Sequence, residues 1–255
     1  MYQFFVEPSQ INVNDKRVII TGSDVNHIKN VLRMKAGEEI SVSNGLDGKE
    51  YRCGILASEP DRILCELRFI KEAGVELPAK VYLFQGLPKA DKMELIIQKA
   101  VELGVYQIIP VAAKRCVVKL DRKKADLKLM RWQGIAEAAA KQSKRAVIPQ
   151  VSEVLSFEQA VKTASDMDVR FIPYELAEGM EKTRKLISGL KPDQSIAVFI
   201  GPEGGFEEAE IQEALVNGIT PVTLGKRILR TETAGMTVLS WIMYQLEGLS
   251  LDDKH

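Results

Sequence analysis

The chain has little cysteine and histidine, the residues on which many structural and catalytic sites depend. Its three cysteines, Cys53, Cys65 and Cys116, are scattered through 255 residues without any CxxC spacing. This usage supports neither a disulfide framework nor a structural zinc site. One of the two histidines is the last residue, His255, and the sequence offers no obvious carboxylate cluster. We therefore expect no metal and no histidine-based acid–base chemistry.

The sequence also lacks long apolar runs and several well-known catalytic motifs. No stretch approaches the ~20 apolar residues of a membrane span, and the N-terminal MYQFFVEPSQ does not resemble a signal peptide. We expect a cytoplasmic protein with no membrane partner. The chain contains no GxxxxGKS/T, HExxH or GxSxG motif, and no GxGxxG after the first strand. The missing GxGxxG argues against a Rossmann-type dinucleotide site.

Charge is balanced overall but unevenly distributed. The chain has 35 Lys and Arg against 35 Asp and Glu, for a formal net charge of zero. Residues 114–145 hold eleven basic and three acidic side chains, so the rest of the chain carries a net charge of −8. A basic block inside a balanced chain predicts a local surface that binds a polyanion. The alternative is a solvated helix face.

Two patterns of secondary structure divide the chain. Residues 1–70 contain short apolar runs between turn signals, which is typical of a small β-barrel or sandwich. Residues 71–79 carry Gly and Pro with little periodicity and are predicted to be a linker. From Lys80 onward predicted strands alternate with predicted helices, which indicates an α/β domain with a parallel sheet.

Three of the predicted helices carry specific expectations. Ser23–Met34 is predicted to be a short helix within the β-rich part. Asp91 is expected to cap the first helix of the α/β part, with Glu94 completing a capping box. Residues 121–145 are predicted to form a long helix with a possible break near Gly134.

Residues 195–234 are the most informative stretch. A buried strand predicted at Ile196–Ile200 runs into GPEGGF, whose glycines leave backbone N–H groups unobstructed by side chains. A helix, a short strand and a second glycine turn, LGKRILR, follow. Two such turns leaving neighbouring parallel strands predict a ligand-binding crevice at the carboxyl ends of the sheet.

The two turns together resemble a known family. GPEGGF followed by LGKRILRTETA is similar to the 16S ribosomal RNA (uridine-N3) methyltransferase family, RsmE, of the SPOUT superfamily, and HIKNVLRMKAGEEI and WQGIAEAAAKQSKR match it as well. The resemblance implies an α/β fold in which a PUA-like β-barrel precedes a SPOUT-type parallel sheet with a C-terminal trefoil knot. It implies a PUA-like RNA-binding domain over residues 1–72 and a methyltransferase domain over 73–255. Ordinary topology rules disfavour a knot, so that expectation rests on the resemblance alone.

The resemblance also implies the chemistry. The protein is expected to transfer a methyl group from S-adenosylmethionine to N3 of a uridine in 16S rRNA of the small ribosomal subunit. The cofactor is expected among the loops that follow three strands, 169–173, 196–200 and 221–224. The cofactor-binding residues are then Pro173, Glu175, Ile200, Gly201, Gly205, Leu224, Gly225, Ile228 and Leu229.

Three side chains near the glycine turns are candidates for catalysis. Arg230 is placed near the developing uracil anion or its flanking phosphate, where a fixed cation stabilises charge. Glu203 and Glu232 are the candidate acceptors of the imino proton. For each glutamate the alternative is a carboxylate that only stabilises a turn or a helix start.

The expected partners are RNA and a second copy of the chain. The predicted RNA-binding residues come from the basic block and are Lys114, Arg115, Lys119, Arg122, Lys141 and Arg145. The helix after Glu232 carries no charged residue until Glu247, so it is buried either in a core or in a dimer. We favour a homodimer, as in SPOUT relatives. Gln3 and Asn26 stand where relatives often carry Arg and His, so neither is assigned an RNA contact.

Two other classes of function remain compatible with the residues themselves. The chain could be a non-catalytic RNA-binding or ribosome-assembly factor with structural glycine loops, or a nucleotide-binding protein using Gly204-Gly205 as an anion nest. Ligand binding separates the three: a methyltransferase binds S-adenosylhomocysteine, an assembly factor binds RNA only, and the third binds nucleotide phosphates.

Overall fold

A computed structural model of the chain describes residues 1–72, 74–177 and 179–251. It divides into two compact units. The first unit is Met1–Glu76 with Ala140–Ile148, and the second is Leu77–Ala139 with the chain from Pro149 onward. The predicted linker, and the predicted domain boundary between residues 72 and 73, include Ala73, which lies outside the described residues.

The first unit is built on a six-stranded sheet. Its strands are β1 Gln3–Phe5, β2 Ile11–Asn12, β3 Arg17–Thr21, β4 Glu39–Ser43, β5 Lys49–Ser58 and β6 Arg62–Glu72. They pair in the order β1-β4-β5-β6-β3-β2, and all pairs are antiparallel except β1 with β4. Alternate residues such as Val18 and Ile20 are fully buried, because successive side chains of a strand point to opposite faces.

The predicted helix at Ser23–Met34 is shorter and less regular than expected. A single α-helical turn, α1 Ser23–Asn26, continues as a π-helical turn over His27–Val31. The chain then reverses at Arg33, whose φ is +54°. A left-handed residue ends a helix, which is why the apolar pattern through Met34 overestimated its length.

A buried ion pair holds residues 140–148 within the first unit. The Arg145 side chain is 4% exposed, and its Nη2 lies 2.5 Å from Oε2 of Glu76. Oε1 of Glu76 accepts hydrogen bonds from the backbone amides of Ala146 and Val147, at 3.2 and 3.3 Å. Gln3 Nε2 donates to the Arg145 carbonyl at 2.8 Å. A charge buried this deeply needs such partners, so the pair anchors the segment.

The second unit is the predicted α/β domain. Its strands are β7 Lys80–Gly86, β8 Gln107–Ala112, β9 Gln150–Val151, β10 Leu155–Ser156, β11 Val169–Pro173, β12 Ser195–Ile200 and β13 Thr220–Val222. Its helices are α2 Lys92–Glu102, α3 Arg122–Gln142, α4 Phe157–Thr163, α5 Met180–Ser188, α6 Glu208–Val216 and α7 Thr231–Leu251; the last residues of α3 fall in the first unit. The strand order is β10-β8-β7-β12-β11-β13 with β9 beside β8, and every pair is parallel.

Strand order corrects one expectation. The two glycine turns leave β12 and β13, which are not neighbours because β11 lies between them. All three strands still end at the same edge of the sheet, since they run parallel.

Helix α7 packs against α2 and β12. Among the described residues, no helix is both long and apolar enough to cross a membrane.

Two helix expectations are also corrected. Helix α3 runs without interruption through Gly134, since one glycine costs only about 1 kcal/mol in a long helix. Asp91 occupies the N-cap position of α2, but its side chain makes no capping hydrogen bond. Asp91 Oδ1 instead lies 3.9 Å from Lys128 Nζ, and Glu94 pairs with Arg131 at 2.8 Å. These tertiary partners replace the predicted capping box.

Candidate functional site

A cavity of about 440 Å³ opens at the carboxyl ends of β11, β12 and β13. Its walls are the loops that follow these strands, together with Lys92 and Arg115. All nine predicted cofactor-binding residues line it: Pro173, Glu175, Ile200, Gly201, Gly205, Leu224, Gly225, Ile228 and Leu229. Arg230 and Glu203 line it as well. We call this cavity the cleft; its volume is within the usual range for small-molecule sites.

The first glycine turn is closely packed and firmly held. A Cβ atom on Gly201 would lie 3.1 Å from Cα of Gly205, so any other residue would need the turn to shift by a few tenths of an ångström. The Gly201 carbonyl accepts a 2.6 Å hydrogen bond from the Thr231 hydroxyl. That hydroxyl in turn accepts from Nε2 of the fully buried Gln85 at 2.8 Å. This chain of hydrogen bonds connects the end of β7, the turn after β12 and the start of α7.

The second glycine turn depends on backbone conformation. Gly225 has a φ of +110° and open space where a Cβ would point, so glycine is needed there for its φ. The strand leading into the turn is tied to α5, because the Thr183 hydroxyl donates to the Thr223 carbonyl at 2.9 Å. Both turns therefore present backbone groups to the cleft from supported positions, an arrangement suited to holding a planar ring between main-chain atoms.

Two carboxylates share one lysine at the edge of the cleft. Lys92 Nζ lies 3.0 Å from Oε1 of Glu203 and 3.4 Å from Oε2 of Glu232. Both Glu203 oxygens also accept from the Lys89 amide, at 3.1 and 3.2 Å. Burial pushes the pKa of Glu203 upward, but hydrogen bonds from its own backbone, Lys92 and Lys89 hold it below the usual value.

Glu232 is bound much more loosely than Glu203. It lies in the first turn of α7; Arg230 precedes this helix, and the Arg230 carbonyl accepts a hydrogen bond from the Ala234 amide at 2.8 Å. Its Oε2 is buried and lies 3.4 Å from Lys92 Nζ. The two candidate proton acceptors thus contact the same lysine, and Glu203 makes the shorter contact and also accepts from the Lys89 amide.

The mouth of the cleft is basic. Arg230 is exposed, as are its loop neighbours Lys226 and Arg227. Arg115 reaches the first glycine turn, where its Nη1 donates to the Gly204 carbonyl at 3.0 Å. Exposed cations around this pocket favour a polyanionic substrate. Of the two candidate proton acceptors, Glu203 is among the residues that line the cleft, whereas Glu232 is not.

The predicted RNA-binding residues fall into separate groups. Lys114, Lys119 and Arg122 line a second cavity of about 970 Å³, between the loop after β8, the start of α3 and the start of α4. The wall of this cavity also contains acidic residues, and burial together with the charges of Glu158 and Glu210 raises the pKa of Glu213. Arg115 lines the cleft instead.

The last two predicted RNA-binding residues belong to the first unit. Lys141 Nζ lies 3.7 Å from Asp24 and is partly exposed. Arg145 is buried and committed to Glu76, so we withdraw it as an RNA contact. The sequence pattern alone could not separate Arg145 from the exposed basic residues, because its acidic partner, Glu76, lies 69 positions away in sequence.

Sequence reasoning missed Lys92, Gln85 and Thr231. Each acts through partners that are distant in sequence: the Gln85–Thr231 hydrogen bond spans 146 positions, and Lys92 reaches carboxylates in the turn after β12 and in α7. Lys92 is simply a lysine at the start of a helix, which is common, so the sequence around it does not indicate a functional role. Glutamine at the end of a buried strand is the one sequence feature that could have pointed to Gln85, because a buried side-chain amide needs hydrogen-bond partners. Among the described residues, no group of three or more His, Cys, Asp or Glu could hold a metal ion.

Comparisons with known proteins agree with the geometry of the cleft. An RNA methyltransferase domain model matches residues 75–243, and an RNA methyltransferase PUA domain model matches residues 20–68. Ribosomal RNA small subunit methyltransferase E of Bacillus subtilis is 40% identical over 256 residues, covering 99% of this chain and 100% of the relative. The protein of that name from Mesomycoplasma hyopneumoniae is 34% identical over 242 residues, covering 94% and 98%.

A solved structure adds the likeness in three dimensions. Ribosomal RNA small subunit methyltransferase E from Neisseria gonorrhoeae, bound to S-adenosyl methionine, aligns with a TM-score of 0.80 at 31% identity. The alignment covers 96% of this chain and 97% of that one. The domain models, the full-length relatives and this structure point to one family, and the chain belongs to the ribosomal RNA small subunit methyltransferase E family.

Proposed function

We propose that the protein methylates N3 of a uridine in 16S rRNA, with S-adenosylmethionine bound in the cleft. The observation that carries the proposal is the convergence of the nine predicted cofactor residues, Arg230 and Glu203 on one cavity, in a chain of this family. The Neisseria gonorrhoeae relative binds S-adenosyl methionine, which supports the choice of cofactor. The predicted trefoil knot and cytoplasmic location remain predictions from the family resemblance.

The residues of the cleft suit the proposed cofactor. Backbone groups at Ile200, Gly201, Leu224, Ile228 and Leu229 surround the cavity and are proposed to hold the adenine. Glycine at position 201 leaves room that a Cβ would fill. When bound, S-adenosylmethionine supplies a strongly electrophilic methyl group, so the chain mainly has to orient the uracil and handle its imino proton.

Charged side chains near the cleft are proposed to help remove the imino proton from uracil N3. Uracil N3 ionises about two pH units above neutrality, so forming the anion costs about 2.7 kcal/mol at ~1.36 kcal/mol per unit. Positioned charges supply stabilisation of this size. We assign Arg230 to the developing negative charge and the Glu203–Glu232 pair to accepting the proton. Lys114, Arg115, Lys119, Arg122 and Lys141 are proposed to contact RNA phosphates.

We also propose that α7 forms a homodimer interface. Its Met236, Trp241 and Met243 are only half-buried within one chain, and Tyr244 is 82% exposed. An uncharged helix with apolar residues left partly uncovered is the kind of face that a second copy covers.

The proposed function is tested with purified protein, S-adenosylmethionine and either free 16S rRNA or small ribosomal subunits. We expect a single methylated uridine, located by a primer-extension stop, because a methyl group on N3 blocks Watson–Crick pairing. Calorimetry is expected to detect S-adenosylhomocysteine binding at one site per chain. RNA binding without S-adenosylhomocysteine binding would indicate an assembly factor instead, and a product that still pairs normally would exclude N3 as the target.

A further inference from the structure

The second cavity, of about 970 Å³, lies at the same edge of the parallel sheet as the cleft. It is bordered by the loop after β8, the start of α3 and the starts of α4 and α6. Its floor is apolar, because the buried side chains of Leu87, Cys116 and Phe157 line it. Apolar cavities with a few polar groups, placed at the carboxyl ends of parallel strands, are common ligand sites.

Charges of opposite sign reach the second cavity from different elements. Lys114, Lys119 and Arg122 come from the loop after β8 and the start of α3, whereas Glu158 and Glu213 come from α4 and α6. Three further acidic residues line the cavity, the first of them on α3: Asp126, Glu153 and Glu210. A ligand that complements this arrangement has an anionic group at one end, hydrogen-bond donors at the other and a flat body between them. A nucleotide has these parts in that order.

Two of the carboxylates have acceptor capacity left for a ligand. Glu210 has little, since its two oxygens accept from the backbone amides of Lys114 and Glu207, at 2.9 and 2.8 Å. Among the described residues, the side chains of Glu158 and Glu213 have no hydrogen-bond or ion-pair partner. Burial, with the charges of Glu158 and Glu210, raises the pKa of Glu213, as expected for a carboxylate without a donor. An ionised carboxylate only accepts hydrogen bonds, so it favours a ligand rich in N–H groups.

The second cavity is next to the cleft. Arg115 lines the cleft, and its chain neighbours Lys114 and Cys116 line the second cavity. Phe206 lies in the wall of the cleft and Phe157 in the wall of the second cavity, and the centroids of their rings are 5.1 Å apart. One layer of side chains therefore separates the two cavities, so an RNA strand that places a base in the cleft has the second cavity within reach of a nearby nucleotide.

We propose that the second cavity binds a nucleotide of the substrate RNA near the target uridine, with its phosphate at Lys119 and Arg122 and an amino-bearing base at Glu158 and Glu213. This inference rests on the proposed function, which supplies the RNA. Guanine fits best, because its N1–H and N2 amino group lie on one edge and can pair with both oxygens of a carboxylate. Uracil fits worst, because its one N–H is flanked by two carbonyl oxygens that a carboxylate repels. Unstacked bases of single-stranded RNA expose this edge.

The test is calorimetry of guanosine monophosphate (GMP) binding to the full chain, with the cleft saturated by S-adenosylhomocysteine. We expect the wild type to bind GMP about tenfold more tightly than inosine monophosphate, which lacks only the amino group, since one hydrogen bond to a charged acceptor is lost. The double variant Glu158→Gln/Glu213→Gln should abolish this preference. Glu208→Gln is the matched control, because Glu208 is exposed on the same helix as Glu213 and does not line the cavity.

The phosphate end and the source of the nucleotide are tested separately. Lys119→Ala/Arg122→Ala should weaken GMP binding about five- to tenfold and leave the binding of guanosine, which has no phosphate, unchanged. Saturating GMP should weaken the binding of 16S rRNA to the wild type several-fold in fluorescence anisotropy. GMP that binds in the second cavity without competing with the RNA would overturn the assignment to an RNA nucleotide and indicate a site for a free nucleotide.

Failure of this inference is distinguishable from failure of the proposed function, because nucleotide binding is measured without methyl transfer. Equal affinity of the wild type for GMP and inosine monophosphate overturns the inference, even if the protein makes N3-methyluridine, and this comparison needs no variant to fold. A preference for GMP that persists in Glu158→Gln/Glu213→Gln overturns it as well. A wild type that shows the expected GMP binding but makes no N3-methyluridine overturns the proposed function instead.

Discussion

Arg230 owes its assignment to the contrast between its surroundings and those of the nearby carboxylates. It is exposed at the mouth of the cleft, and no acidic side chain pairs with it among the described residues. An unpaired guanidinium beside a reaction site is free to meet charge that develops on the substrate. Another exposed arginine at the mouth, Arg115, is already bonded to the Gly204 carbonyl.

We predict that Arg230→Ala lowers single-turnover methylation by about 10²- to 10³-fold, the usual loss when one preorganised donor is removed. Affinity for S-adenosylhomocysteine should stay nearly unchanged, since backbone groups are proposed to hold the adenine. Arg230→Lys should recover only part of the rate, because a point charge does not reproduce a planar, forked contact. Full activity in Arg230→Ala would remove this residue from the mechanism.

Glu203 also makes a prediction about stability. Its pKa is lowered in the folded chain, so it stabilises the fold above its unfolded pKa of about 4.5 and loses that contribution as pH falls through the lower folded value. Glu203→Gln should therefore reduce the free energy of unfolding by about 1–2 kcal/mol at pH 7. The difference should shrink as pH falls below 4.5 and through the lower folded pKa. Denaturant titrations at pH 7 and at a series of acidic pH values measure it, and a deficit that does not change with pH would contradict an ionic role.

At the scale of elements, the basic segment divides according to its partners. Lys124, Lys128 and Arg131 each lie within 4 Å of a carboxylate. Within the described ranges no such partner lies beside the segment's other exposed cations around the start of α3, which are Lys114, Arg115, Lys119, Arg122 and Lys123. The side chains of the paired residues are neutralised by carboxylates within the protein. The charges of the other five are not neutralised by such a partner and are available to phosphates.

These unpaired cations predict a measurable salt dependence. If all five contact phosphates, log K for RNA should fall against log salt with a slope of about −3.5 to −4.5. The double variant Lys119→Ala/Arg122→Ala should reduce the slope by about 1.5, whereas Arg131→Ala, whose side chain is paired with Glu94, should leave it nearly unchanged. Fluorescence anisotropy at several salt concentrations gives the slopes. Equal effects of the two variants would mean that the pairing does not matter.

At the scale of the whole molecule, α7 carries the proposed dimer. Light scattering at micromolar concentration should report about twice the 28.4 kDa chain mass. Tyr244→Arg should shift the mass toward that of a single chain, since it places a charge within an apolar contact. Val216→Arg is the matched control, because Val216 is 86% exposed on α6, outside the proposed interface. A wild-type monomer would return α7 to a role within one chain.

The sequence by itself determined the class of fold and most of the cleft. Alternating strand and helix patterns predicted the parallel sheet, because a strand's period and a helix's period are local properties. The glycines of both turns marked the cleft, since a close backbone approach at Gly201 and a left-handed φ at Gly225 both favour glycine. These constraints act within a few residues, so they can be recognised from the sequence alone.

Only the tertiary structure decided which side chains have partners. Arg145 and Lys119 look alike in the basic block, yet one is buried against Glu76 and the other is exposed. The same holds for Glu203 and Glu232: both contact Lys92, but only Glu203 also accepts from the Lys89 amide and lines the cleft. Strand order, which placed β11 between the two glycine turns, likewise follows from long-range pairing. Burial and charge pairing join residues tens to more than a hundred positions apart, so no local pattern encodes them.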